Sequence, residues 1–282
     1  MKVGVVTIAA HRTAHLRMQM TALARGSRRP DQHVVVSMGD HEVFSLARVA
    51  GADAQWMEPT EGRLPLAEAR NLGARRALEL GAELLVFLDV DCIPATNLVS
   101  RYEEVGNDQR HQVALLCGPV TYLPPPPVGG YDLDALDALI DPHPARPHPR
   151  AGEVVTGEDY TLFWSLSFAV TAATWHRVGG FCTDYSGYGG EDTDFGQVAA
   201  HRGVGLRWLG GAHAFHQHHP VSDPPVERLD DILANANIFH DRWGWWPMRG
   251  WLDAFAERGL ARYDKGCGRW LRGADRHSAP GR

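Results

Sequence analysis

Short apolar runs alternate with helix-length amphipathic segments through the N-terminal third of the chain. Val3 to Ile8 is continuously apolar, as a strand covered on both faces must be. Thr13 is placed to cap a helix running to about Arg25. Val34 to Val36 reads as a second strand, Phe44 to Ala50 as a helix and Ala52 to Met57 as a third strand. Pro65 suits a first helical turn. Leu66, Ala69, Gly73, Ala77 and Leu80 then share one helical face, which Gly81 ends. Glu83 to Leu88 is the most apolar strand. This β-α-β alternation restricts the chain to an α/β fold with a mostly parallel sheet between helices. Ligands of such sheets bind beyond the carboxyl ends of the strands, where Asp89 and Asp91 stand.

The middle of the chain is different. Pro124 to Pro127 are consecutive, and Pro142, Pro144, Pro147 and Pro149 alternate with histidines, which predicts a long surface loop. Tyr131 to Ile140 reads as a short helix inside it. Beyond, Phe163 to Val170 reads as a strand, and Thr171 to Val178 as a helix ended by Gly179-Gly180. Asp192 to Ala200 reads as a helix, Val204 to Leu209 as a strand and Pro224 to Arg242 as a late helix. The expected organisation is one domain over 1–245. It has a first half (1–122), the proline-rich loop (123–150) and a second half (151–245). A tail rich in Trp and Arg follows (246–282).

Composition excludes several classes. The 282 residues carry a formal net charge of -6, which argues against a surface built for nucleic acid. The cysteines Cys92, Cys117, Cys182 and Cys267 form no C-x-x-C pair, so neither a zinc knuckle nor a redox motif is expected. No apolar run reaches the ~20 residues of a membrane helix. The opening residues read directly as a strand, without a signal-peptide layout, so a cytoplasmic location is expected.

Asp89-Val90-Asp91 follows a buried strand, unlike Asp132/Asp134 and Asp192/Asp194. Two carboxylates spaced by one residue can divide the labour. One binds a divalent metal carrying a diphosphate, and the other holds the ribose or a metal-bound water. His213, His216, His218 and His219 crowd the stretch after the Val204–Leu209 strand. In an extended chain His216 and His218 point to one side and suit one metal. Mixed carboxylate and imidazole ligands favour Mn²⁺ over Mg²⁺. Gly187 to Asp194 runs into a helix. Its carboxylates Glu191 and Asp192 either cap that helix or supply a base that deprotonates an acceptor hydroxyl. Tyr188 offers a ring to a sugar face, and Trp164, just before a strand, faces a donor or acceptor. Trp243, Trp245, Trp246 and Trp251 read as a packed corner. Arg258, Arg262, Lys265, Arg269, Arg272 and Arg276 form a basic run, normally a solvated face and otherwise a weak contact for a membrane surface.

Taken in order, these residues resemble inverting glycosyltransferases of the GT-A fold. Ala69-Arg70-Asn71-Leu72-Gly73 before Asp89-Val90-Asp91, and Val178-Gly179-Gly180-Phe181 later, are similar to family 2 enzymes. Gly187-Tyr188-Gly189-Gly190-Glu191-Asp192 resembles the G-W-G-G-E-D of β-1,4-galactosyltransferases, with Tyr188 in place of tryptophan. The resemblance implies that residues 1–122 form the nucleotide-sugar half and 151–245 the acceptor and catalytic half, with Asp192 the catalytic base and Glu191 and Tyr188 on the acceptor side. Trp164, by its place before a strand, is grouped with them. It implies a metal, Mn²⁺ or another divalent cation such as Mg²⁺, on Asp91, His216 and His218. It places the nucleotide-sugar against Thr7, Ala9, Arg12, Arg70, Asn71, Asp89, Val90, Asp91 and Gly190. The implied reaction moves a hexose or N-acetylhexosamine, galactose-type favoured, from a UDP-sugar to a hydroxyl of a glycan or small molecule. Two other readings use the same groups: a metal-dependent nucleotidyltransferase or phosphoesterase, and a carbohydrate-binding homologue without activity.

Overall fold

The computed structural model describes residues 1–60, 62–220 and 222–273. The expected alternation is present: β1 (Val3–Ala9), α1 (Thr13–Arg25), β2 (Gln32–Met38), α2 (His41–Val49), β3 (Asp53–Met57), α3 (Leu66–Glu79) and β4 (Leu84–Leu88). Helix α2 begins earlier than its apolar face suggests, because the Asp40 carboxylate accepts from the N–H groups of Glu42 and Val43. The chain continues through β5 (Cys92–Pro94), α4 (Leu98–Asn107), β6 (Ala114–Cys117), β7 (Val120–Tyr122) and β8 (Val154–Gly157). Then come β9 (Ser167–Thr171), α5 (Ala172–Val178), α6 (Glu191–His201), β10 (Gly205–Leu209) and β11 (Ala214–His216). The described chain ends with α7 (Leu229–Trp243), α8 (Arg249–Glu257), β12 (Ala261–Asp264) and β13 (Arg269–Arg272).

Eight strands form the central sheet in the order β3-β2-β1-β4-β9-β6-β10-β8. Strands β9 and β8 run against their neighbours and the rest run together, so the sheet is mixed and mostly parallel, as expected. Strand β9 lies between β4 and β6, so the segments 1–122 and 151–245 share one sheet and one core. Successive residues of β4 alternate between its faces. Phe87 packs with Phe168, Trp175, Phe181 and Phe195 under α3, α5 and α6. Val86 packs with Leu98, Tyr102 and Val105 under α4. Gly73 lets α3 come this close, since a Cβ there would stand 2.4 Å from Val6 Cγ1.

A small sheet, β5-β11-β7, lies at the carboxyl end of β4. Hydrogen bonding ties it to that end: Cys92 N–H donates to Asp89 O (2.8 Å) and Gln217 N–H to Asp91 O (2.7 Å).

Several elements differ from the sequence reading. The 131–140 segment contains only a 3₁₀ turn, Leu136–Leu139. Three of its apolar side chains, Tyr131, Leu133 and Leu136, are drawn down onto Phe215 and Ile93 rather than forming a helical face. The strand expected from Phe163 starts at Ser167, because Tyr160–Leu162 is a 3₁₀ turn. Residues 246–273 fold into α8 and the β12–β13 hairpin, where Leu252, Phe255 and Trp270 pack on Ile232 and Ala236 of α7. The basic run is partly neutralised: Arg262 pairs with Asp264, Arg269 with Asp241 and Arg272 with Asp230. Arg276 lies outside the described residues. No described helix is long and apolar enough to cross a membrane.

Candidate active site

The carboxyl ends of β1, β2 and β4 open on one edge of the sheet, and the small sheet rises beside them. Asp89 is the first residue after β4, and Asp91 stands two residues on, before β5. Strand β11 presents His216, which is paired across the sheet with Cys92. The strand ends there, so the extended alternation expected through His218 does not continue. Gln217 turns inward and donates to His15 O (3.2 Å). His218 is exposed, and its N–H donates to the Tyr131 hydroxyl (3.0 Å). The next residue comes back: His219 Nε2 lies 3.3 Å and His216 Nε2 3.4 Å from Asp91 Oδ2. The structure therefore replaces His218 with His219 in the group around Asp91. His213, the fourth histidine, is buried against Thr121 Oγ1 (2.8 Å), and burial pushes its pKa down to about 4.

Asp91, His216 and His219 each offer one atom, and these atoms lie within 4.8 Å of one another. Ligands at adjacent positions on one small divalent ion stand roughly 3 Å apart, so the spacing suits a shared cation. Buried polar atoms are normally hydrogen-bonded. Asp91 Oδ1 and His219 Nδ1 are buried and lack a partner among the described residues. The donor set is that of a borderline metal such as Mn²⁺. The residues present fit a divalent ion. Burial raises the Asp91 pKa, but His216 and His219 outweigh it and hold the carboxyl well below its ordinary range.

Asp89 faces the other way. Arg70 Nη2 donates to Asp89 Oδ1 (3.0 Å), and Arg70 Nη1 donates to Glu191 Oε1 (3.1 Å). Arg70 is only 4% exposed, so it is the cation of a buried bridge and not a group open to a nucleotide. Helix α6 starts at Gly190, whose φ of 89° favours glycine, and it carries Glu191, Asp192 and Asp194 in its first turn. Asp192 keeps part of its surface open and accepts from Thr193 N–H (2.7 Å). Burial pushes the carboxyls of Glu191 and Asp192 upward, and Glu191 is raised further by the Asp192 charge. Glu191 Oε2 is buried without a partner among the described residues. Asp194 belongs to the scaffold, held by Arg242, Trp243 and Tyr185.

Tyr188 lies on the loop before α6, partly open; the packing around its hydroxyl raises its pKa, and the nearby Asp192 and Glu191 charges add to the shift, with Tyr122 also within reach. Tyr122 in turn packs on His216, with ring centroids 4.7 Å apart. The histidine group and the α6 carboxylates are thus neighbours, linked through Tyr122 and Tyr188. Trp164 is half-buried and packs on His143.

Other expected nucleotide contacts are corrected. Thr7 is fully buried and donates to Gln19 Oε1 (2.8 Å), and Ala9 is buried in the core. Val90 packs with Leu16 and Val35, so only its backbone is available. Asn71 clamps the backbone of Phe181, accepting its N–H and donating to its carbonyl, both at 2.8 Å. Arg12 stays partly open, and its charge reaches His15 and His216. Sequence reasoning missed a cleft of about 550 Å³ at the ends of β1 and β2, lined by His11, Gly39, Asp40 and His41. His41 stacks on Trp56 at 4.5 Å. The signal was available, since Asp40 follows β2 much as Asp89 follows β4.

Known proteins share this fold. Residues 154–220, from β8 through His219, match the family model described as the N-terminal domain of galactosyltransferase. TarS of S. aureus, residues 1–349, superposes with a TM-score of 0.54 at 14% identity, over 84% of this chain and 65% of that one. GalNAc-T7 with UDP, GalNAc and Mn²⁺ superposes with a TM-score of 0.58 at 12% identity, over 91% of this chain and 56% of that one. The chain has the GT-A glycosyltransferase fold. The mannosyltransferase PcManGT from Pyrobaculum calidifontis, with GDP-Man and Mn²⁺, agrees, with a TM-score of 0.54 at 17% identity over 92% of this chain and 76% of that one. The chain therefore spans less than two thirds of the TarS fragment and of GalNAc-T7. No curated protein matches it by sequence. The matched segment and the fold are both those of glycosyltransferases, as the ordered motifs implied.

Proposed function

We propose that this GT-A protein transfers a hexose or N-acetylhexosamine from a UDP-sugar to an acceptor hydroxyl, with inversion at the anomeric carbon, and needs a divalent metal. One observation carries the reading: Asp91, His216 and His219 converge beside a carboxylate pair that burial has raised toward neutrality. Neighbours of the same fold hold UDP, GalNAc and Mn²⁺, UDP-GlcNAc, or GDP-Man and Mn²⁺.

Asp91, His216 and His219 would hold the cation, which supplies Lewis-acid stabilisation of charge on the leaving diphosphate. The cleft beside Asp40 and His41 receives the nucleotide base. Arg70 fixes Asp89 toward the ribose and Glu191 toward the acceptor. Asp192 takes the proton from the attacking hydroxyl, and burial raises its pKa above the ordinary carboxylate range, which makes it a stronger base. Tyr188 and Trp164 offer rings to sugar faces. A thermal-shift screen of nucleoside diphosphates with and without Mn²⁺ tests the reading. It expects UDP to stabilise the chain only with the metal; stabilisation by UDP that ignores Mn²⁺ sinks it.

A further inference from the structure

The proline-rich loop places an arginine where the described residues provide no hydrogen-bond acceptor. Arg146 is 4% exposed. Its Nε, Nη1 and Nη2 are all buried and find no partner among the described residues. The guanidinium lies over the rings of Trp208 (4.8 Å) and Trp164 (5.2 Å). Attraction to two indoles offsets part of the cost of burying the ion but accepts none of its N–H groups. The groups within reach of its charge include the Cys92 and Cys117 thiols and the Tyr102 and Tyr122 hydroxyls, all ordinarily neutral at pH 7 and held so more firmly by burial, which raises their pKa values. A buried cation normally has an anion beside it.

The loop is fastened in place. His143 N–H donates to Val120 O (3.0 Å), and Asp141 N–H donates to Thr121 Oγ1 (2.9 Å). Both bonds anchor it to β7, the neighbour of the strand that carries His216. A line of contacting rings joins the two places: His216 to Tyr122, Tyr122 to His143, His143 to Trp164. Trp164 is covalently next to Ser165, whose backbone helps hold the Asp192 charge. The arginine thus stands behind the rim of the proposed sugar site, with half-buried Trp164 between.

We infer that Arg146 recognises a carboxylate on the sugar bound at this site, as on a hexuronate, and that Trp164 is the cover displaced when it binds. A guanidinium fork pairs with a carboxylate through two parallel hydrogen bonds, which a lysine cannot reproduce. The inference rests on the sugar-transfer reading, and its test separates the two.

Tryptophan fluorescence is titrated in the full chain with Mn²⁺, using glucuronate against glucose and UDP-glucuronate against UDP-glucose. The carboxylated partner binds tighter by roughly ten-fold or more. The preference falls in the free-sugar pair if the acceptor carries the carboxylate, and in the UDP pair if the donor does. Arg146→Met abolishes the preference without lowering Tm, since it removes an unpaired ion. If that variant does not fold, Arg146→Lys keeps the charge and still loses most of the preference. Equal binding within both pairs, or a preference that survives in the variants, overturns the assignment. Failure of the sugar-transfer reading is distinguishable: Mn²⁺-dependent UDP binding is then absent whatever Arg146 does.

Discussion

Arg70 Nη1 donates to Glu191 Oε1 across 3.1 Å, joining the middle of α3 to the first residue of α6. The same guanidinium holds Asp89, so one buried cation sets the relative positions of Asp89 and Glu191. Arg70→Met leaves both carboxylates without their partner. Breaking a buried pair from one side costs about 3–5 kcal/mol, to be measured as a lower urea midpoint with unchanged m-value. Arg70→Lys keeps the charge but cannot reach both acids, so transfer falls further than stability does.

The metal group separates adjacent histidines. His219→Ala should weaken Mn²⁺ binding by more than roughly ten-fold, at least the loss seen for outer-shell partners. His218→Ala should leave it within about two-fold, because His218 is exposed. Titration calorimetry with Mn²⁺ in the presence of UDP reads both. Equal effects of the two variants would contradict the geometry.

The α6 carboxylates give a pH dependence of defined sign. Burial raises both, Glu191 to about 7, so the pair holds a proton into the neutral range. A base must be unprotonated to act, so kcat/KM falls as the pH drops through the raised Asp192 pKa. Asp192→Asn lowers kcat by roughly 10²–10⁴-fold with UDP binding retained.

Asn71 provides a control. Its side chain clamps the Phe181 backbone, which occupies both its amide groups. Asn71→Ala should cost about 1–3 kcal/mol by stranding those backbone groups, with KM for the donor unchanged. A raised KM at native stability would return Asn71 to the nucleotide.

Much of this was legible in the residues, for identifiable reasons. The β-α-β alternation and the apolar β4 fixed Asp89 and Asp91 at a strand end, because a strand covered on both faces has a composition of its own. The Gly-Gly-Glu-Asp helix start was readable from glycine and acids in a first turn. The histidine partner of Asp91 was not. Choosing His218 extended the period-2 rule two residues past the end of β11, and that end is set by Gln217 bonding to Asp91 and His15, contacts distant in sequence. Thr7 and Asn71 look like ligand groups until their partners Gln19 and Phe181 are seen. Arg146 was hidden for the same reason: a proline-rich stretch reads as surface, and only the fold brings Trp164 and Trp208 over it.

The most direct test incubates the full chain with a panel of UDP-sugars, mixed glycan acceptors and Mn²⁺, and identifies the nucleotide released. The account predicts UDP with the sugar joined to an acceptor, a product that disappears with EDTA, in His219→Ala and in Asp192→Asn. Release of UMP or free phosphate, or UDP release indifferent to EDTA, would contradict it.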